Sequence, residues 1–251
     1  MPLSVLILGG TTEASALARQ VAGDPRVAPI LSLAGRTANP RPQPIAVRTG
    51  GFGGIDGLVR FLRDEAIDAV VDATHPYADQ MSAHAIAACR TAGVPLASLV
   101  RPEWQAGAGD RWQLVADVDA AARALGATPK RVFLSLGRQE LHAFAAAPQH
   151  HYIARLIERP ERGDLPPDLR LIQARGPFER EAELRLLTDE RIDVIVSKNS
   201  GGEATYAKIE AARTLSLPVV MIARPDKAAG HILADIDRTV AWLHGLAPRG
   251  V

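Results

Sequence analysis

The sequence predicts an α/β protein built from two doubly wound, Rossmann-like parallel-sheet domains. Short, continuous apolar runs recur along the 251 residues, and alanine-rich stretches with helical spacing separate them. Apolar runs without alternation are typical of strands that helices cover on both faces, as in parallel sheets. Gly126, Thr128 and Pro129 interrupt this rhythm. We therefore expect domains at 1–127 and 128–251, with the active site in the cleft between them.

The expected elements alternate in each half of the chain. In the first half we expect strands at 5–8, 30–33, 69–71 and 96–99, with helices that include 13–21 and 56–65. In the second half we expect strands at 132–136, 152–157, 171–174, 194–196 and 219–222, with helices at 139–147, 179–187, 203–215 and 235–246. Pro218 is expected to open the last of these strands, because proline cannot continue the preceding helix.

Composition excludes several classes of partner. The 29 Lys and Arg residues nearly balance the 28 Asp and Glu residues, so no overall field favours nucleic acid or a membrane surface. Cys89 is the single cysteine. It excludes an internal disulfide, agrees with a reducing compartment and is expected to pack in the core. The N-terminus lacks signal-peptide features, and no apolar stretch reaches the roughly 20 residues of a membrane span. We expect a cytoplasmic monomer or small homo-oligomer.

A glycine and threonine loop follows the first predicted strand. Its residues are Gly9, Gly10, Thr11, Thr12 and Glu13. Such a turn leaves backbone N–H groups directed at a phosphate, and the hydroxyl groups add further donors. The loop lacks the third glycine of the full dinucleotide fingerprint, since Ala14 occupies that region. The alternative is a tight strand-to-helix turn that Thr11 or Thr12 caps.

The end of the second predicted strand indicates which dinucleotide binds. Ser32, Gly35 and Arg36 lie there, and no acid occurs between Pro29 and Pro40. An acid at this place accepts from the ribose of NAD, whereas an arginine accommodates the 2′-phosphate of NADP. The sequence therefore favours NADP. The alternative is that Arg36 is a solvated loop charge.

Two further loops follow predicted strands of the first domain. They are expected to contact the cofactor through Thr49, Gly50, Gly51 and Phe52, and through Thr74, His75, Pro76 and Tyr77. Both occupy the end of the sheet where open α/β proteins bind ligands. His75 is also a candidate proton donor, although a histidine before proline in a turn is often structural.

Basic residues recur where predicted strands end. They are Arg101, Arg138, Arg175, Lys198 and Arg224. Guanidinium groups bind carboxylates in a bidentate manner, so this shared position predicts a site for a substrate with several acids. For any single arginine, the alternative is a surface ion pair of little energetic value.

The loop that contains Lys198 is expected to complete this second site. Ser197, Asn199, Ser200, Gly201 and Gly202 are small or polar and precede a predicted helix, and Lys208 adds charge. Hydroxyl groups and amides at a helix start can receive a carboxylate. The order of a Walker-type phosphate loop is absent, so ATP hydrolysis is not expected.

Motifs along nearly the whole chain resemble the precorrin-6A reductases of cobalamin biosynthesis, including their cobalt-precorrin counterparts. The matching segments are ILGGTTEA at 7–14, RTGGFGG at 48–54, DATHPYA at 72–78, RPEW at 101–104, LGRQEL at 136–141, RGPF at 175–178, VSKNSGG at 196–202 and ARPDK at 223–227. The resemblance implies an NADPH-dependent reduction of a macrocycle that carries acetate and propionate groups. Flavin and metal are not required for that reaction.

The resemblance also implies that hydride passes to a conjugated ring carbon and that a proton completes the reduction. Asp226 could relay that proton or orient Lys227, although Pro225 and Asp226 also form an ordinary turn sequence. Solvent or a macrocycle carboxyl group could deliver the proton instead. Three alternatives stay open: cobalt-precorrin-6A as substrate, a non-catalytic NADP-binding sensor, and a nucleotide-sugar epimerase. The last is disfavoured because no lysine follows Tyr77 at the required spacing.

Overall fold

The chain folds into two compact units, and each contains one six-stranded parallel sheet. The computed structural model describes residues 1–35, 40–160, 163, 165–225 and 231–247. The first unit comprises Met1–Pro102 and Pro225–Val251, and the second comprises Glu103–Arg224. Helices accompany both sheets. The predicted α/β fold class with two Rossmann-like sheets is confirmed.

The first unit has the strand order β12-β5-β4-β1-β2-β3. Its strands are β1 (Leu3–Leu8), β2 (Val27–Leu33), β3 (Ala46–Thr49), β4 (Ala69–Asp72), β5 (Leu96–Leu99) and β12 (His231–Leu233). Its helices are α1 (Thr12–Val21), α2 (Gly54–Asp64), α3 (Asp79–Ala92) and α7 (Ile236–Leu246).

Strand β1 shows why a continuous apolar run forms the centre of this sheet. Val5 and Ile7 lie in a core cluster with Leu17 of α1 and Leu243 of α7. Leu6 lies in a separate cluster with residues of α2 and α3. Alternate side chains of a strand point to opposite faces, so a strand covered on both faces must be apolar at every position.

The second unit has the strand order β6-β11-β10-β7-β8-β9. Its strands are β6 (Arg111–Val115), β7 (Arg131–Ser135), β8 (His151–Leu156), β9 (Leu169–Gln173), β10 (Val194–Lys198) and β11 (Pro218–Ile222). Its helices are α4 (Val118–Ala124), α5 (Arg180–Asp189), α6 (Ala207–Thr214) and a 3-10 helix at Arg138–Ala146.

Both sheets reverse their winding direction next to their first central strand. In the first unit the chain proceeds outward from β1 through β2 to β3, and then returns to β4 on the other side of β1. In the second unit it proceeds from β7 through β8 to β9, and then returns to β10. Open α/β sheets bind ligands outside the carboxyl ends of the strands at such a switch point. Each unit therefore offers one ligand crevice, at β1/β4 and at β7/β10.

The predicted domain boundary differs from the one in the structure. Residues 103–127, assigned to the first domain by the sequence, belong to the second unit because β6 pairs with β11. The segment at 225–251, assigned to the second domain, belongs to the first unit because β12 pairs with β5. The short strands β6 and β12 lack a continuous apolar run, so the sequence did not indicate them.

Two predicted helices also differ in the structure. The segment predicted as a helix at 139–147 forms a 3-10 helix. The helix predicted at 203–215 begins only at Ala207. The carbonyl group of Ala204 accepts from the Phe178 N–H, and that of Thr205 accepts from Lys208 Nζ. A residue from another segment and a side chain of α6 itself thus occupy carbonyl groups that a longer helix would use in its own backbone hydrogen bonds. Among the described residues, no helix combines the length and apolarity needed to cross a bilayer.

Candidate active site

Thr11 joins the two loops at the switch point of the first unit. It is the N-cap residue of α1, and its Oγ1 accepts from the Ala14 N–H at 3.1 Å. The same hydroxyl group donates to the carbonyl oxygen of Ala73 at 2.7 Å. The alternative of a capped turn is thus correct for Thr11, and it is compatible with anion binding because a cap satisfies only one of the free helix amides. Thr12 is the first, exposed residue of α1.

Glycines make the backbone of two loops accessible. Gly10 has a φ of 110° and Gly50 a φ of 115°, and a Cβ atom at Gly10, Gly50 or Gly51 would meet nothing within 4 Å. Gly9 packs closely instead, because a Cβ atom there would lie 2.6 Å from Leu31 Cδ1. An anionic ligand can therefore approach the main chain at Gly10, at the start of α1, and at Gly50 and Gly51.

Asp72 fixes the loop that follows β4. Its carboxylate is buried and accepts from the Thr74 N–H at 3.1 Å, from Thr74 Oγ1 at 2.6 Å and from Ser82 Oγ at 2.6 Å. A buried carboxylate requires such partners, since it would otherwise be costly to desolvate. Thr74 therefore uses its hydroxyl group inside the protein, where it shapes the loop expected to contact a cofactor.

Part of this loop lines a shallow recess beside α1. Its walls include Thr11, Glu13, Ala73, Thr74, Pro76 and Arg101. His75 and Tyr77 lie together, with ring centroids 5.7 Å apart, and His75 Nδ1 accepts from the Tyr77 N–H at 3.4 Å. This contact is the turn-stabilising role that the sequence left open for His75. Its role as a proton donor stays a prediction.

Arg101 lies in the first unit, beside the predicted cofactor loop. It follows β5, and its guanidinium group forms an ion pair with Glu13 of α1 at one side of the recess. The sequence grouped Arg101 with the cations of the second site. The structure instead places it with Glu13, because the carboxyl ends of β5 and β1 lie at the same end of one parallel sheet.

Arg48 was missing from the predicted site, yet it organises the loop after β3. Its Nη1 donates to Ser32 Oγ at 2.7 Å and to the Gly50 carbonyl at 3.0 Å, and its Nη2 donates to the Gly51 carbonyl at 3.2 Å. Its Cζ lies 3.9 Å from the centroid of the Phe52 ring. Partial burial lowers the pKa of Arg48 from its usual value. Thr49 is exposed at the end of β3.

In the second unit, an ion pair spans the switch point. Lys198, at the end of β10, donates from Nζ to Glu140 Oε1 at 2.6 Å. Glu140 belongs to the 3-10 helix that follows β7. A Cβ atom at Gly137 would lie 2.5 Å from Glu140 Oε2, so a side chain at position 137 would require this carboxylate to shift. The predicted cation at 198 is therefore partly neutralised by an acid that the sequence reasoning missed.

The buried side chain of Asn199 connects the adjoining loop with Trp104. It is 5% exposed, and its side-chain amide bridges the Trp104 backbone, accepting from the Trp104 N–H at 2.9 Å and donating to its carbonyl at 3.1 Å. The Trp104 indole N–H donates to the Gly202 carbonyl at 2.9 Å. Asn199 was predicted to contact a substrate. Its buried contacts give it a structural place under the loop instead.

Lys208 and Ser197 were also predicted to belong to the substrate site, but both are buried. Lys208 is 3% exposed, with Nζ 4.7 Å from the Trp104 ring centroid and a hydrogen bond to the Thr205 carbonyl. Ser197 is a buried residue of β10, and its hydroxyl group donates to the Lys198 carbonyl at 3.2 Å. Because α6 begins at Ala207, the loop at 200–202 does not lie directly at a helix start as predicted. Gly201 and Gly202 have positive φ angles.

Arg224 is the cation that contacts this loop directly. Its Nη2 donates to the carbonyl oxygen of Ser200 at 3.0 Å, and its Nε lies 3.5 Å from Glu103 Oε1. Arg138 begins the 3-10 helix and lies 3.8 Å from Glu158. Arg175 follows the edge strand β9, two strands away from β7. The structure thus groups Lys198 and Arg224 near the switch point. Arg175 follows β9, and its neighbour Gly176 approaches the loop before α6, where a Cβ atom would lie 3.4 Å from the Ala204 carbonyl oxygen.

Two predicted site residues, Arg36 and Asp226, lie outside the described residues. The sequence reasoning also overlooked three glutamates that accompany predicted cations, which are Glu103, Glu140 and Glu158. A signal was available for two of them, because Glu103 and Glu140 lie inside the RPEW and LGRQEL motifs. Glu158 lies outside these motifs, and its pairing with Arg138 needed the fold.

Comparison with known proteins decides the family. The profile of the family described as "Precorrin-6x reductase CbiJ/CobK" matches residues 4–244. The precorrin-6A reductase of Rhodobacter capsulatus is 51% identical over 250 residues, covering 98% of this chain and 99% of its own. The cobalt-precorrin-6A reductase of Salmonella typhimurium is 30% identical, covering 88% and 87%. The chain belongs to the precorrin-6x reductase family.

A solved structure of this family has the same fold. The structure of "CobK precorrin-6A reductase" superposes with a TM-score of 0.93 at 48% sequence identity, covering 99% of this chain and 100% of that one. The two sheets and their switch points are therefore features of a precorrin-6x reductase. The resemblance inferred from the sequence motifs is confirmed.

Proposed function

We propose that this precorrin-6x reductase uses NADPH to reduce precorrin-6A to its dihydro form, precorrin-6B, in cobalamin biosynthesis. The observation that carries the proposal is the pair of switch-point crevices, one glycine-rich and one containing Lys198 and Arg224. A dinucleotide and a polycarboxylate macrocycle are the two ligands that such a pair suits. The relatives named as precorrin-6A reductases support the choice of substrate.

The first unit supplies the features that a nicotinamide dinucleotide needs. The N-terminus of α1 and the open backbone at Gly10 would hold the pyrophosphate. The loop at 49–52 would cover the adenosine half, with Arg36 directed to the 2′-phosphate. The recess beside Thr74, Pro76 and Arg101 would hold the nicotinamide. When bound, the cofactor supplies the hydride, and the protein's part is to orient it.

The second unit would bind the macrocycle through its carboxylates. Lys198 and Arg224 lie near the switch point, and Arg138 and Arg175 follow β7 and β9 as two further cations. Lys198, Arg224 and Arg138 face glutamates in ion pairs that are partly solvent-exposed. Such pairs contribute little in water, so a substrate carboxylate can compete for the same cations. The placement of the active site in the cleft between the domains remains a prediction, as do the proton-relay roles of His75 and Asp226.

Sequence identity favours the metal-free substrate. The R. capsulatus relative, named for precorrin-6A, shares 51% of its residues with this chain, whereas the S. typhimurium relative, named for cobalt-precorrin-6A, shares 30%. We therefore expect a higher kcat/KM with precorrin-6A than with its cobalt complex. Equal or reversed values would assign the chain to the cobalt-dependent route instead.

The test is consumption of NADPH by the purified protein. Absorbance of the reduced nicotinamide should fall only when precorrin-6A is present, with one NADPH consumed per macrocycle. Arg175→Ala should raise the KM for precorrin-6A about tenfold, equivalent to one lost charge-assisted hydrogen bond, and should leave the KM for NADPH unchanged. Arg185→Ala, at an exposed position of α5, is the matched control. A protein that binds NADPH and never oxidises it with either precursor would refute the proposal and favour a sensor.

A further inference from the structure

The loop between β3 and α2 is organised around one guanidinium group. Arg48, in β3, directs Nη1 to the Gly50 carbonyl and Nη2 to the Gly51 carbonyl, at 3.0 and 3.2 Å. Two successive carbonyl groups of the loop therefore turn toward Arg48. A planar trans peptide places its N–H opposite its C=O. The N–H groups of Gly51 and Phe52 are thus directed away from the arginine.

Two aromatic rings lie beside the same guanidinium group. Arg48 Cζ lies 3.9 Å from the Phe52 ring centroid and 5.1 Å from that of Phe61, and the two rings meet edge to face at 5.2 Å. Cation–π contacts of this kind hold a planar guanidinium group in a fixed orientation. Phe52 also packs against α2, where a Cβ atom at Gly57 would lie 1.6 Å from its carbonyl oxygen. Arg48 therefore reaches the loop through both its main chain and a side chain.

The guanidinium group also connects this loop with the neighbouring strand. Ser32 lies opposite Arg48 in the β2–β3 register, and its buried hydroxyl oxygen accepts from Arg48 Nη1 at 2.7 Å. One side chain thus connects the carboxyl ends of β2 and β3. The sequence assigned both of these strand ends to the cofactor, but it gave Arg48 no part.

We propose that Arg48 is a positioning residue for the dinucleotide, which fixes the loop at 50–52 so that its amides face the ligand's anionic groups. The inference rests on the proposed binding of NADPH. It makes a prediction that differs from direct recognition of the 2′-phosphate. Loss of loop order should weaken the binding of NADPH and of NADH alike. Loss of a side chain that contacts the 2′-phosphate should weaken the binding of NADPH alone.

The experiment measures dissociation constants of NADPH and NADH for the full-length protein by nucleotide fluorescence. Arg48→Met keeps the length of the side chain and removes its donors. We expect both constants to rise about tenfold, a factor that corresponds to one or two net hydrogen bonds, with their ratio unchanged. Arg48→Lys should raise both dissociation constants by a similar factor, because an ammonium group cannot reproduce the planar set of donors of a guanidinium group. Arg36→Glu should raise the ratio of the NADPH constant to the NADH constant.

Further measurements separate positioning from a general loss of stability. Arg63→Met, at an exposed position of α2, should leave both constants unchanged. In Arg48→Lys the amides at 50–54 should exchange hydrogen faster while the Tm stays within a few degrees. With precorrin-6A present, the KM for NADPH should rise while kcat stays within about twofold. This is the result expected when binding of the cofactor is weakened equally in the ground state and in the transition state.

Two results would overturn the inference. Constants within twofold of the wild type in both Arg48 variants would show that the loop does not depend on this residue. A loss confined to NADPH would make Arg48 a phosphate ligand and not a positioning residue. Failure of the wild-type protein to bind either nucleotide is a separate outcome, and it would refute the proposed function together with this inference.

Discussion

Position 57 has no room for a side chain. A Cβ atom there would lie 1.6 Å from the Phe52 carbonyl oxygen, so Gly57→Ala must displace either the loop or the start of α2. We expect a loss of about 2 kcal/mol in the free energy of unfolding, typical of an overpacked site. We also expect weaker NADPH binding, since the displaced residue is Phe52. Urea unfolding and nucleotide titration measure the two effects.

The matched control is Gly245→Ala in α7. A Cβ atom at position 245 meets nothing within 4 Å, and the residue is inside a helix. Alanine should therefore stabilise the protein slightly, by about 0.5 kcal/mol, because it reduces the freedom of the unfolded chain. If both substitutions changed stability by the same amount, the close approach at Gly57 would not be the cause.

Cys89 is predicted to be unreactive in the native protein. The thiol is 2% exposed, and burial, assisted by the charge of Asp72, raises its pKa to about 12. At pH 8 the native thiol is therefore almost entirely protonated, whereas a cysteine with the ordinary pKa of about 8.5 is partly ionised. Folding favours the protonated form, so this contribution to stability is present below the unfolded pKa and is lost as the pH rises toward 12.

The measurement is alkylation by iodoacetamide, followed by mass spectrometry. The native protein should remain unlabelled at pH 8 while the urea-unfolded protein is labelled completely, and Cys89→Ala should not be labelled in either state. Rapid labelling of the native protein would contradict the packed position of this residue. The sequence placed Cys89 in the core correctly, because small apolar residues surround it in the pattern.

At the scale of single residues, the sequence identified loops better than it identified contacts. The glycines at 9, 10, 50 and 51 follow strands and were recognisable from position alone. The roles of Arg48, Glu140 and Asn199 depend on distances across the sheet or between loops. A pattern of residue types contains no such distances, so these three were either missed or given a different role.

An ion pair buried in the second unit connects β8 with α5. Arg155 and Glu183 are 9% and 1% exposed, and their charged groups form a bidentate pair. The guanidinium group also lies 3.4 Å from the centroid of the Phe178 ring. Phe178 belongs to the RGPF motif that begins at Arg175. This pair is therefore expected to order the segment that carries Arg175.

Removing one member of this pair leaves the other charge buried without its partner. We expect Glu183→Gln to lower the free energy of unfolding by about 3 kcal/mol. The double substitution Arg155→Met with Glu183→Leu should cost much less, within about 1 kcal/mol, because apolar residues of similar volume avoid the desolvation penalty. Denaturant unfolding of the wild type, of Glu183→Gln and of the double variant measures these differences in stability. A double variant less stable than Glu183→Gln would show that the pair contributes net stability.

At the scale of elements, the continuous apolar strands were predicted well, whereas the edge strands β6 and β12 were not. Strands β1, β4, β7 and β10 are buried on both faces, so their residues must be apolar. Strands β6 and β12 lie at sheet edges and expose apolar residues such as Leu114 and Ile232, at 67% and 56%. Their composition resembles that of loops, and the domain boundaries were misplaced for this reason.

The whole molecule repeats one binding principle in two units. Each sheet has a switch point at its first central strand, and polar residues from the two flanking loops meet there. In the first unit Thr11 binds the Ala73 carbonyl, and in the second Lys198 binds Glu140. The fold class predicted from the sequence made both crevices expected. Their different chemistry, glycine-rich in one and charged in the other, suits them to different ligands.

We propose above that this chain transfers hydride from NADPH to precorrin-6A. The most direct measurement uses NADPH that carries deuterium at its transferable position, with the purified protein and precorrin-6A, followed by mass spectrometry of the macrocycle. We predict that the reduced product contains one deuterium per molecule and that none reaches the solvent. Two results would contradict direct hydride transfer. One is oxidation of NADPH that gives a reduced macrocycle without deuterium, and the other is a macrocycle that stays unreduced although NADPH is bound.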